Sequence, residues 1–69
     1  MSNDTTGLLR LQALAKFKKV RPRLEVFGEG QVYLEVRRRN KRIGAKVWSN
    51  MPSWTAIAAE AERIVQNAD

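Results

Sequence analysis

Between Arg37 and Lys46 this 69-residue chain carries six cationic side chains, Arg37, Arg38, Arg39, Lys41, Arg42 and Lys46, and no acid. Guanidinium groups grip phosphate with a planar fork of donors and also bond guanine edges in the major groove of DNA. Like charges so closely spaced repel, so the folded state gains nothing from them, and a polyanionic partner accounts for their presence. Other chemistries find little support. General acid–base and nucleophilic work draws on His, Cys or converging carboxylates, and the chain has no His and no Cys. Its acids are scattered: Asp4 and Asp69 near the ends, Glu29 in a turn, Glu25 and Glu35 beside basic partners, Glu60 and Glu62 on the outer side of a helix. Residues two apart on a helix point in different directions. No metal-ligand spacing and no phosphate-cradling glycine loop is present; Gly28-Glu29-Gly30 lacks the lysine and the helix start that such loops need. The expectation is a protein without catalytic residues, metal or cofactor, and not an enzyme.

The element that must position these cations is the stretch Gln31 to Trp48, which reads as a β-hairpin. Val32, Leu34 and Val36 alternate with Tyr33, Glu35 and Arg37; after the turn, Ile43, Ala45 and Val47 alternate with Arg42, Gly44, Lys46 and Trp48. Alternation with period two marks strands with one buried and one wet face. Pairing Arg37 with Arg42 sets Val36 opposite Ile43, Leu34 opposite Ala45 and Val32 opposite Val47, with every apolar residue on one side. A slip by one residue would spoil this. The turn is Arg38-Arg39-Asn40-Lys41, with Asn40 the residue best suited to left-handed backbone.

Upstream, residues 1–6 read as a flexible start in which Asp4, Thr5 or Thr6 caps a helix. The helix runs from Gly7 to about Lys19 with two apolar stripes, Leu8, Leu11 and Ala15 with Leu14 at the edge, and Leu9, Ala13 and Phe17 with Val20 just beyond. One stripe suffices for a core; the second would touch the sheet edge or make a homodimer contact through this helix. Pro22 ends the helix and forces Arg21 into extended backbone. Arg23 to Phe27 reads as a first strand, and a three-residue turn pairs Val26 with Val32 and Leu24 with Leu34. After a connector, Trp54, Ile57, Ala58, Ala61, Ile64 and Val65 recur on one narrow helical face, the cleanest amphipathic pattern in the chain. The whole is a single α+β domain over residues 1–69: a three-stranded antiparallel meander with two helices in the order α-β-β-β-α, both on the sheet's apolar face.

The other sheet face is then left open. Its rows read Glu25–Tyr33–Lys46, Arg23–Glu35–Gly44 and Phe27–Gln31–Trp48, with Glu35 able to pair with Arg23 and Glu25 with Lys46. Phe27, Tyr33 and Trp48 make either a ligand-facing surface or a small cross-strand cluster. Lys16 to Lys46 holds eleven basic and three acidic residues, and from Ser49 onward one Arg faces three acids. A basic middle and a mildly acidic end describe a directed positive surface. The opening residues MSNDTTG lack the charge and apolar block of a signal peptide and no apolar run reaches membrane-spanning length, so a cytoplasmic location away from membranes is expected.

LLRLQALAKFKK, PRLEV, VYLEVRRRNKRIGAKVWS and the alanine-rich last helix resemble the helix, first strand, central hairpin and closing helix of the double-stranded-RNA-binding domain. That resemblance implies the α-β-β-β-α fold. The chain differs from that family where RNA would be read: Gly28-Glu29-Gly30 replaces a longer histidine-bearing loop, and Met51-Pro52-Ser53-Trp54 replaces a lysine-rich helix start. It is also similar to three-stranded-sheet DNA binders of the AP2 and integrase arm-binding type, which lay an open sheet face in the major groove. On this reading Arg23, Tyr33, Arg37, Arg38, Arg39, Lys41, Arg42, Lys46 and Trp48 contact duplex nucleic acid, DNA ahead of RNA. The alternative is a small protein-interaction module, an inhibitor or adaptor whose basic hairpin docks on an acidic protein surface.

Overall fold

The computed structural model describes residues 4–69. Its elements run α1 (Asp4–Lys18), β1 (Arg21–Val26), β2 (Val32–Arg38), β3 (Lys41–Trp48) and α2 (Trp54–Ala68). The strands form an antiparallel meander in the order β1-β2-β3. The α+β class and the element order are those read from the sequence.

The core lies between the sheet and α2. Along the central strand β2, Val32, Leu34 and Val36 are completely buried, while Tyr33 and Glu35 between them are only half-buried. Against them α2 buries Ile57, Ala58, Ala61, Ile64 and Val65, each large side chain among them contributing about 1.5–3 kcal/mol of apolar burial. The small Ala58 and Ala61 let the helix axis approach the sheet. Ser53 caps α2: its hydroxyl accepts from the Ala56 N–H at 3.1 Å, satisfying one donor that the first helical turn leaves open.

The first helix lies mainly alongside α2, with a smaller contact to β1. Its first stripe packs inward, with Leu11 buried and Leu14 against the core, and Val20 joins that core from just beyond the helix. The second stripe stays out: Leu9 is 58% and Phe17 76% exposed. Gly7 is buried where α1 meets the start of α2, and a Cβ there would overlap the main chain of Trp54 and Thr55. Arg10 of α1 and Glu62 of α2 form a two-pronged ion pair, 2.5 Å at its shorter contact.

The first helix starts earlier than the sequence reading has it, and it ends near Lys19 as expected but for a different reason. The helix already includes Asp4, Thr5 and Thr6, so these residues do not cap a helix beginning at Gly7; residues 1–3 of the expected flexible start lie outside the described residues. At the other end Lys19 takes a left-handed φ of 56° and the Val20 N–H reaches back to the Ala15 carbonyl at 3.2 Å. This closure turns the chain before Pro22 is reached. Pro22 lies within β1, opposite Val36, on an edge strand where its missing donor is tolerated.

The β1–β2 register is as expected, with Leu24 opposite Leu34 and Val26 opposite Val32. The β2–β3 register is not. Arg37 does pair with Arg42, but Val36 then pairs with Gly44, Leu34 with Lys46 and Val32 with Trp48. Ile43 is an extra residue between the two pairs, a β-bulge that exchanges the faces of everything after it.

Candidate nucleic-acid interface

The hairpin tip is built by a turn with both central residues left-handed, Arg39 at φ 55° and Asn40 at φ 64°, the backbone of a type I′ turn whose twist suits paired strands. Asn40 tolerates this conformation readily; for Arg39 it costs about 1–2 kcal/mol. Arg37 braces the turn, its Nη2 donating to the Asn40 carbonyl at 2.9 Å and its Nη1 to Glu35 Oε2 at 3.5 Å. Arg38 turns toward the helices and donates to Asp69 Oδ1 at 2.9 Å, and Lys18 lies 3.7 Å from Oδ2 of the same carboxylate. These contacts hold the Asp69 carboxyl below the usual carboxylate range, the hydrogen bond from Arg38 chief among them. Arg42 Nη1 donates to the Tyr33 hydroxyl at 3.3 Å. Among the described residues no carboxylate lies within 4.0 Å of Arg39, Lys41 or Arg42.

The register places Arg21, Arg37 and Arg42 in one cross-strand row, Arg23, Glu35 and Ala45 in the next, and Glu25, Tyr33 and Val47 in a third. Cationic density therefore falls steadily from the hairpin turn toward the other end of the open face. The bulge removes three expected members from this face. Trp48 packs against the core on the helix side, and Lys46, opposite buried Leu34, lies on that same side while remaining exposed at the edge strand. Gly44 also points to the helices rather than to the open face, since a Cβ on it would meet Ile64. Val47 takes an outward place instead and is 56% exposed. The two expected ion pairs do not form: Glu35 is engaged by Arg37 rather than by Arg23, and Lys46 lies on the opposite face from Glu25.

Of the nine residues expected to bind, Arg23, Tyr33, Arg37 and Arg42 share the open face, and Arg38, Arg39 and Lys41 gather at the turn beside it. Lys46 and Trp48 stand apart. Arg21 was not among those nine, yet the meander register extended by two pairs beyond Arg23–Glu35 sets it opposite Arg37. Lys18, the last residue of α1, and Lys19 just beyond it line a recess at the same end with Arg38, Arg39 and Lys41.

The chain matches no known family model, no curated protein and no solved structure. What it can do is therefore argued from its own surface. Among the described residues no helix is long and apolar enough to cross a membrane, and no group of three or more His, Cys, Asp or Glu side chains is placed to hold a metal ion.

Proposed function

We propose that this chain binds duplex nucleic acid, DNA in preference to RNA, through the hairpin turn and the adjoining row of the open sheet face. One observation carries the reading: Arg21, Arg37 and Arg42 line up across three strands beside Arg39 and Lys41, on a face that neither helix covers. Neutralising several phosphates supplies most of the affinity of such a surface and makes it steeply salt-dependent. The preference for DNA rests on shape. A two-stranded β-ribbon enters the wide major groove of B-form DNA, whereas the major groove of A-form RNA is too narrow and deep for side chains to read. Action in the cytoplasm and a homodimer through the exposed Leu9 and Phe17 of α1 belong to the same proposal.

The test is a titration of duplex DNA and duplex RNA across a salt series. Changing Arg39, Lys41 and Arg42 together to Ser should weaken DNA binding roughly 100-fold and make the log–log salt slope shallower by about 2–3. An unaltered affinity and slope removes the hairpin from the mechanism.

A second reading has its own observation. Val47 and Phe27, 56% and 45% exposed, put apolar surface at the end of the sheet away from the cationic turn, and an apolar patch on the same small molecule as a basic one suits docking on an acidic protein surface. Capture experiments with nuclease-treated lysate separate the two: partners that persist favour docking, and partners that vanish favour nucleic acid.

A further inference from the structure

Beside the hairpin turn the chain forms two recesses of about 560 and 600 Å³, and Lys19 and Arg39 line both. These two residues come from separate segments, the end of α1 and the β2–β3 turn. Each stands in left-handed backbone, where glycine is the default residue. Two long basic side chains are thus held at positions whose backbone favours having no side chain at all. The recesses differ in what neutralises them. In the second, Lys18 and Arg38 already share the carboxylate of Asp69, at 3.7 and 2.9 Å, so an oxyanion of the chain itself engages that group of cations. In the first, Arg21 and Arg37 join Lys19 and Arg39. Among the described residues the sole carboxylate within 4.0 Å of these four is Glu35, 3.5 Å from Arg37.

We infer that the first recess is a seat for one backbone phosphate of the bound duplex, gripped between Lys19 and Arg39 with Arg21 alongside. The inference rests on the duplex-binding reading and extends it to α1, whose last turn becomes part of the interface. A phosphodiester in this seat would be held between the helix end and the hairpin tip, fixing the angle at which the ribbon meets the duplex.

Glycine suits both backbones, which allows folding and binding to be separated. The variant Lys19→Gly/Arg39→Gly should unfold at a thermal midpoint equal to or above that of the wild type. It should bind a blunt DNA duplex at least ~10-fold more weakly, with a salt slope shallower by about 2. A structural role for the two side chains would instead lower the midpoint. Wild-type binding of the duplex together with unchanged affinity and slope in the variant overturns the seat while leaving the duplex reading intact. If the wild type binds no duplex, that reading fails, and inorganic pyrophosphate decides the seat on its own. Saturable NMR shifts at the Lys19–Arg21 and Arg39–Asn40 amides, lost in the variant, uphold it as an anion site; their absence refutes it.

Discussion

Gly44 shows how one missing side chain sets a close approach in this fold. It lies opposite Val36 beneath α2, and a Cβ added there would come within 2.5 Å of Ile64 Cγ2 and 3.1 Å of its Cγ1. Ile64 is only 5% exposed, so it has little room to swing aside. Gly44→Ala should therefore cost about 1–3 kcal/mol through overpacking, although alanine suits a strand better than glycine does. In a domain of this size each kcal/mol lowers the thermal midpoint by about 4–8 °C. Ile64→Ala alone should cost about 2–5 kcal/mol, and the double variant should be more stable than the sum of the two losses implies, because each change relieves the other. Strict additivity in a thermal-denaturation cycle would show that the two residues do not meet.

At the level of elements, what the sequence reveals follows from how uniquely each pattern points. The apolar residues of α2 fall on one narrow face, so its existence, its start and its buried side are readable. Those of α1 fall on two stripes, and only packing against α2 decides that Leu11 is buried while Leu9 and Phe17 are not. The start of α1 was misplaced because Thr5 and Thr6 suit a cap as well as a first turn. In the hairpin, alternation along each arm fits two registers, and the turn fixes only the pair nearest to it. Nothing in the period marks Ile43 as an extra residue, and Gly44 looks like a gap in an outward row when it is a contact with a helix. Hence the cations at the turn were legible, the placements of Lys46 and Trp48 were not, and Arg21 was hidden by its reading as a mere pre-proline residue. The α1–α2 crossing was equally invisible, since Gly7 carries no pattern. There a Cβ would meet the Trp54–Thr55 main chain, which cannot step aside as a side chain can. Gly7→Ala should thus destabilise more than Gly44→Ala in urea denaturation, despite a helix propensity better by about 1 kcal/mol. A gain in stability would mean that the helices do not cross at this point.

Across the whole molecule, a formal charge of +6 is concentrated at one end, and Asp69, just past the end of α2, reaches into it to meet Arg38 and Lys18. That carboxylate neutralises Arg38 and Lys18 beside the proposed phosphate seat, so it competes with any polyanion for the same cations. Its folded pKa is depressed, first by the hydrogen bond from Arg38 and then by the charges of Arg38 and Lys18. A depressed carboxylate contributes stability at pH above its unfolded pKa and loses it as the pH falls through the folded value. Asp69→Asn should accordingly be less stable than wild type near neutral pH and should converge with it in strongly acidic solution, where both side chains are uncharged. Binding should move the other way. With the carboxylate gone, Arg38 and Lys18 are free to neutralise phosphate, so the variant should hold duplex DNA more tightly at pH 7 and show a salt slope steeper by about 1–2. Titrations at neutral pH with wild type and variant side by side measure this directly. Equal affinities and equal slopes would mean that Arg38 and Lys18 face the duplex at no stage of binding, and would confine the interface to the open side of the sheet.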